Sequence, residues 1–287
     1  MRTFEHFKPS NLKEAIKLLS AKGTKTRIIA GGTDLLNAMR DGEESPDCII
    51  DMKGVKELDY IEYKEKMGLR IGSLTKLASI ERSSIAKKKY PVLCEAAHSI
   101  GSVQIRNMAT IGGNLCNAAP SADMAPALIA LGAKGRVQGT KGKRIIPLEE
   151  FFKGPGKTAL NKGEILTEII VPKLAGKTSG VYIKHGLRKA MDIAIAGVCV
   201  LVTRERGKLK DVKISLGSVA PTPIRAKNAE KILLDGDLSE DSIKEASEEA
   251  AKACSPISDI RSSEWYRREI VKVLVRRGIE MCCGGKF

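Results

Sequence analysis

Two glycine pairs, each set among hydroxyl, amide and apolar residues, are the stretches of this 287-residue sequence whose types and spacing suggest chemistry. The first is Ile28-Ile29-Ala30-Gly31-Gly32-Thr33-Asp34-Leu35. The second is Thr110-Ile111-Gly112-Gly113-Asn114, followed by Pro120 and Asp123. Glycine lets the main chain approach a ligand closely and take positive φ. The N–H groups of a turn that enters a helix point outward and favour an anion. Thr33 adds a hydroxyl and Asn114 an amide donor. Together the pairs can clamp the two phosphates of a dinucleotide from opposite sides. Taken alone, the first pair also reads as a plain strand-to-helix turn capped by Thr33 or Asp34. Neither stretch is G-x-G-x-x-G or G-x-x-x-x-G-K-[ST], which disfavours a Rossmann site and a P-loop.

The flanking residues say what must hold these loops. Asn11 to Leu19 has helical apolar spacing, with Ser10 or Asn11 as cap. Strands over 27–30 and 48–51, with a helix over 35–40 between them, suggest a small parallel unit with a right-handed crossover. Beyond it, residues 56–175 look mixed. Strands are expected at 69–72, 136–138 and 164–171, and helices at 74–81, 92–99 and 125–131. Gly112-Gly113-Asn114 is read as a break between elements. Residues 174–179, with Gly176 and Gly180, form the best candidate boundary. Three strands follow, at 181–184, 193–204 and 208–219, the last two joined by a turn at Arg206-Gly207. Helices are expected at 228–234, 239–254 and 264–282. The C-terminal third is therefore an antiparallel sheet with helices on one face, and the chain as a whole is α+β.

Composition narrows the classes. With 43% hydrophobic and 29% charged residues the chain is globular, and it is too apolar for a disordered one. Its longest apolar run, Ile193 to Val202, is ten residues, whereas a membrane-crossing helix needs about 20. Met1 to Ser10 lacks the apolar core of a signal peptide, so a cytoplasmic protein is expected. The net charge is +15, but aromatic content is only 4%, which supplies a base-stacking platform poorly. A solvated basic surface, with an acidic protein as its partner, is the plainer reading. The seven cysteines include no C-x-x-C pair, and the three histidines are far apart, so no metal site is expected. The cysteines read as reduced, with Cys282-Cys283 exposed in the tail. Cys116 lacks a partner for redox chemistry. Arg106 reads as a helix-carbonyl ligand ahead of a phosphate ligand, and Asp192 as a turn cap. No acid–base dyad and no nucleophile is assigned.

The two loops and several downstream stretches resemble the FAD-binding medium subunit of the molybdenum hydroxylases, which includes the flavoprotein subunits of carbon monoxide dehydrogenase and xanthine dehydrogenase. The resemblance rests on Gln104-Ile-Arg-Asn-Met-Ala-Thr-Ile-Gly-Gly-Asn114 with Pro120 and Asp123. It continues through Lys184-His-Gly-Leu-Arg-Lys-Ala-Met-Asp-Ile-Ala194 and Leu216-Gly-Ser-Val-Ala-Pro-Thr-Pro-Ile-Arg225. Tyr266-Arg267 and Val273-Leu-Val-Arg-Arg277 extend it into the last helix, so it covers essentially the whole chain.

The resemblance implies the two-part FAD fold shared with vanillyl-alcohol oxidase. Residues 1–175 would hold FAD in two lobes, about 1–55 and 56–175, and 176–287 would cover the isoalloxazine side. Ile28, Ile29, Ala30, Gly31, Gly32, Thr33, Asp34 and Leu35 would form the first pyrophosphate loop. Thr110, Gly112, Gly113 and Asn114 would form the second. Asp123 would bond the cofactor's polar stem, Ile100 would lie against the flavin region, and Leu166 and Lys184 would make later contacts. Lys184 would bring a positive charge near the flavin. The chain would be an electron-transfer subunit. It would receive electrons from a small partner chain with [2Fe-2S] clusters, fed by a large partner chain with a molybdenum cofactor, in a dimer of heterotrimers. It would pass them to an external acceptor. No cluster of its own is expected, since no cysteine-bearing insertion lies between Gly31 and Gly112. Two other readings stand beside this one: a free-standing FAD-dependent reductase or dehydrogenase, and a basic non-enzymatic binding module.

Overall fold

A computed structural model describes residues 2–23, 25–206, 208–236 and 238–284. The first lobe alternates strand and helix: β1 (Glu5–Phe7), α1 (Leu12–Ala21), β2 (Thr26–Ile29), α2 (Leu35–Asp41) and β3 (Cys48–Asp51). Its sheet is parallel in the order β1-β3-β2. Asn11 starts α1 by accepting from the Glu14 N–H, one of the two caps the sequence offers.

The second lobe contains β4 (Ile61–Lys64), β5 (Gly68–Gly72), α3 (Leu77–Arg82), α4 (Ser84–Lys89), α5 (Pro91–His98), α6 (Val103–Met108), α7 (Ile111–Asn117) and α8 (Met124–Ala130). It continues with β6 (Lys134–Gly139), β7 (Gly142–Pro147), α9 (Leu148–Phe151), β8 (Phe152–Gly154), β9 (Lys157–Thr158) and β10 (Ile165–Val171). Five strands form an antiparallel sheet, β4-β5-β10-β6-β7. The buried Glu168 of central strand β10 is gripped by Arg70, by Arg136 at 3.2 Å and by the Tyr60 hydroxyl at 2.6 Å. A buried carboxylate needs such partners.

The third unit is a sheet, β11 (Lys177–His185), β12 (Ala196–Glu205), β13 (Lys208–Gly217) and β14 (Ile224–Arg225), followed by α10 (Lys227–Asp235), α11 (Glu240–Lys252) and α12 (Glu264–Cys283). Along β12, Val198, Val200 and Val202 pack with the C-terminal helices, whereas Cys199 and Leu201 join the core of the second lobe. Alternating side chains thus serve two cores. This explains the long apolar run: helices α10 and α12 cover one face of the sheet, with α11 packed against both, and α5 and α8 cover the other.

The structure corrects several expectations. Gly112-Gly113-Asn114 does not break the chain: it lies in the first turn of α7, which Thr110 caps by accepting from the Gly113 N–H. A hydroxyl three residues before an N–H supplies what glycine's poor helix propensity does not. Strand β11 begins at Lys177, inside the stretch read as a boundary, and a short fourth strand, β14, extends the C-terminal sheet. Cys282 and Cys283 are not in a loose tail. They close α12, and the Cys282 thiol points to the Val200 carbonyl. Strands β1, β4, β7, β8 and β9 and helices α4, α6 and α9 were not anticipated. They are short, and β7 is largely exposed, so no apolar period marks them. The turn expected at Arg206-Gly207 lies in part outside the described residues, since Gly207 is not among them.

Candidate functional site

The two glycine loops meet. Strand β2 delivers Ile28 and Ile29, of which Ile29 is buried beside Met39 and Ile49. Ala30 and Gly31 then run against the end of α6. A Cβ on Gly31 would lie 2.3 Å from the Met108 carbonyl oxygen and 2.8 Å from the Ala109 Cα, so only glycine permits the approach. Gly32 has φ +77°, the left-handed region that glycine enters freely. Thr33 and Asp34 bond each other at 3.2 Å, and neither side chain caps α2. The capping role open to them in the sequence is therefore not filled, and Asp34 is exposed. Leu35 packs at the edge of the cluster around Ile29.

One residue after Ala109 comes Thr110, the cap of α7. Gly112 is as constrained as Gly31: its N–H donates to the Ser73 carbonyl at 2.8 Å, and a Cβ would lie 2.6 Å from that oxygen. Gly113 differs. A Cβ there would meet only the Thr110 hydroxyl, at 3.0 Å. The neighbouring Asn114 has a buried Oδ1 with no hydrogen-bond partner among the described residues. A buried polar atom is rarely left so. An open Gly113 face beside an unsatisfied amide oxygen fits a ligand lying across the start of α7.

Asp123 is buried at the junction with the third unit. The Tyr182 hydroxyl donates to its Oδ1 at 2.8 Å, and Lys184 Nζ donates to its Oδ2 at 2.9 Å. Burial pushes the Asp123 carboxyl above the ordinary carboxylate range, while Lys184 and Tyr182 pull it back. Burial and the nearby Asp123 hold the Tyr182 hydroxyl protonated, well above its usual value. Three successive carbonyls follow, of which the first and third tie the units together and the second is held within the second lobe. The Ser99 carbonyl accepts from Lys184 Nζ at 3.0 Å, the Ile100 carbonyl from Arg106 Nη1 at 3.0 Å, and the Gly101 carbonyl from the Met191 N–H at 3.1 Å. Ile100 itself is nearly buried.

Of the residues singled out in the sequence, Gly31 and the Thr110–Asn114 turn are thus adjacent, and Ile100, Asp123 and Lys184 form a second group. Leu166 belongs to neither group: it is buried in the core on β10. It connects to the second loop through the core it shares with Ile111 and Leu115 of α7 and through the main chain, since the Gly112 N–H reaches Ser73 and the Ser73 N–H reaches Thr167. Lys184 is not a solvated strand-end lysine, because its charge is paired. Arg106 takes the structural role. Besides the Ile100 carbonyl it holds Glu81 at 2.7 Å. Asp192 caps its turn by accepting from the Arg188 and Ile193 N–H groups. Burial pushes the Cys116 thiol up to about 12, which leaves no thiolate at neutral pH. Tyr182 went unnoticed in the sequence. Its signal was its place two residues before Lys184, which puts both side chains on one face of a strand.

Residues 2–174 match the family described as the FAD binding domain in molybdopterin dehydrogenase. Residues 182–282 match the CO dehydrogenase flavoprotein C-terminal domain. The chain is 37% identical to the glyceraldehyde dehydrogenase medium chain of Sulfolobus acidocaldarius, over 96% of this chain and 97% of that one. It is 33% identical to the xanthine dehydrogenase FAD-binding subunit of Escherichia coli O157:H7, over 98% of each. Among solved structures, the carbon monoxide dehydrogenase of Hydrogenophaga pseudoflava has a chain that superposes with a TM-score of 0.95 at 31% identity, covering 100% of this chain and 99% of that one.

Proposed function

The chain belongs to the FAD-binding flavoprotein subunits of the molybdenum hydroxylase family, and from that premise we propose that it carries electrons from the [2Fe-2S] clusters of a small partner chain to an external acceptor. It is an oxidoreductase subunit whose cofactor is FAD. Oxidation of the organic substrate takes place at the molybdenum cofactor of a large partner chain, and the assembly is a cytoplasmic dimer of heterotrimers. Among the described residues, no helix is long and apolar enough to cross a membrane.

The observation that carries this reading is the meeting of the two glycine loops, with an open Gly113 and the unsatisfied Asn114 Oδ1 at their junction. Residues 28–35 hold the pyrophosphate together with the Thr110–Gly113 turn, where Gly112 and Gly113 allow close approach and the Thr110 hydroxyl, which accepts from the Gly113 N–H, has its own O–H to donate. Asn114 accepts a hydrogen bond from the cofactor, and Asp123 accepts one from its polar stem. Ile100 and Leu166 supply apolar contact. Lys184 opposes the effect of burial on Asp123 and fixes its carboxyl group, and it places a cation on the flavin side. Bound FAD supplies the redox chemistry, storing electrons and yielding them to the acceptor. The protein's part is to bind, orient and shield. Residues 1–175 form the FAD-binding domain, in lobes of about 1–55 and 56–175, and 176–287 form the domain that covers it.

Two measurements test the proposal. Acid extraction of the purified chain should release FAD in a one-to-one ratio. Mixing the FAD-loaded chain with its chemically reduced iron–sulfur partner should bleach the flavin absorbance rapidly. Full turnover of an organic substrate by the isolated chain would instead establish a free-standing dehydrogenase.

A further inference from the structure

The site residues fall into two groups, Gly31 with the Thr110–Asn114 turn, and Ile100 with Asp123 and Lys184. One cofactor has to span both. Helix α6 joins them in the chain. Its end adjoins the first group: a Cβ on Gly31 would lie 2.3 Å from the Met108 carbonyl oxygen, and Ala109 and Thr110 follow directly. Its start adjoins the second, since Ile100 and Gly101 precede its cap, Ser102. Its six residues span about 9 Å. A helix this short does not hold itself in place. Helix α3 runs antiparallel beside it and is tied to it at both ends. At one end the Leu77 N–H donates to the Ala109 carbonyl at 3.0 Å. At the other, Arg106 donates to Glu81 through Nε at 2.7 Å and Nη2 at 3.3 Å.

The third arm of the guanidinium reaches past this pair. Arg106 Nη1 donates to the Ile100 carbonyl at 3.0 Å. The neighbouring Ser99 and Gly101 carbonyls are bound from the third unit, so Arg106 is what holds this turn to its own lobe. The residue is only 6% exposed, and a buried charge that loses its partners is costly, which keeps the fork closed. A planar guanidinium with both Glu81 oxygens engaged has one direction left for Nη1. The position of the α3–α6 pair is thereby passed on to Ile100. We propose that Arg106, oriented by Glu81, is a positioning residue that sets the spacing between the pyrophosphate turn and the flavin-side segment 99–101. This deepens the cofactor assignment given above and rests on it. Two contacts to one ligand reinforce each other only where the protein holds them at the ligand's own spacing. Neither Arg106 nor Glu81 touches the cofactor in this arrangement, and both act through Ile100.

The test uses the full chain stripped of flavin, with two ligands: FAD, followed by its fluorescence, and ADP, which carries the pyrophosphate end alone and is followed by displacement of FAD. Arg106→Lys keeps the charge and loses the fork. It should raise Kd for FAD at least about tenfold while leaving ADP binding within about twofold of wild type. The visible absorption of the bound flavin should shift as well. Glu81→Gln frees the fork with Arg106 still present and should act in the same direction. It decides the matter if Arg106→Lys does not fold. The double variant should be no worse than Arg106→Lys, because the two residues act as one unit. Unchanged FAD affinity in both single variants overturns the proposal. So does equal weakening of FAD and ADP, which would leave Arg106 as a support of the fold alone. So do additive losses in the double variant, or ADP that fails to displace FAD from the wild type. A wild-type chain that takes up no FAD instead refutes the cofactor assignment itself.

Discussion

Replacing Gly113 with alanine should separate cofactor affinity from stability. In the protein alone the new methyl meets only the Thr110 hydroxyl, at 3.0 Å. That contact is tight, so the capping hydroxyl must yield by a few tenths of an ångström. Against this strain, replacing glycine inside a helix gains about 0.5–1 kcal/mol. The two effects nearly cancel, and unfolding stability should stay within about 1 kcal/mol of wild type, or about 2–4 °C in Tm. If the pyrophosphate lies across this turn, however, the methyl occupies the space where the main chain meets it. Losing one hydrogen bond from the Thr110 hydroxyl to a charged oxygen costs about 1.5–3 kcal/mol. At about 1.4 kcal/mol per factor of ten, Kd for FAD should rise roughly 10- to 150-fold. Thermal unfolding of the apoprotein and fluorescence titration with FAD measure the two quantities separately. Gly112→Ala is the contrast. Its Cβ would strike the Ser73 main chain at 2.6 Å, so that variant should lose about 1–3 kcal/mol of stability along with affinity. Wild-type affinity in a folded Gly113→Ala chain would refute the placement of the cofactor on this turn.

Further outcomes follow from the paired carboxylates. Tyr182→Phe keeps the ring and removes one donor from buried Asp123, which should cost about 1.5–3 kcal/mol in denaturant unfolding. Asp123→Ala leaves the half-buried Lys184 with only the Ser99 carbonyl and should cost up to about 3 kcal/mol. Arg144 holds the Glu164 carboxyl down to about 2, so the stability this pair adds is present above the ordinary carboxylate range and lost as pH falls toward 2. Because Arg144 is 41% exposed and screened, Arg144→Ala should cost at most about 1 kcal/mol at pH 7 and flatten the acid limb of stability against pH.

The glycine loops were legible in the sequence because glycine at a close approach is a local requirement, visible without knowing what lies opposite. What lies opposite was not legible. No spacing rule says that Gly31 abuts Met108 or that Gly112 abuts Ser73, since lobe packing decides both. The long elements were read well for the same reason: β12 and α12 carry enough residues to show a pattern. Helix α7 was misread because two glycines argue against a helix more loudly than one capping threonine argues for it. Leu166 was named through resemblance alone, and nothing in its apolar surroundings distinguishes it from other core residues.

The arrangement around Asp123 also bears on how the two domains depend on each other. The carboxylate stands at the start of α8 in the second lobe, yet both its donors, Tyr182 and Lys184, come from β11. Withdraw β11 and a buried carboxylate loses both partners, a cost of several kcal/mol. The reverse also holds, because Lys184 Nζ also donates to the Ser99 carbonyl and the Tyr182 N–H donates to Glu95 of α5. Gly197 on the neighbouring strand admits the Tyr182 hydroxyl, which a Cβ there would meet at 2.6 Å. Neither side of the seam can satisfy its polar groups alone. Closing the domains and setting the geometry of Asp123 are therefore one event, so the groups proposed to face the flavin are fixed by the fold before any cofactor arrives.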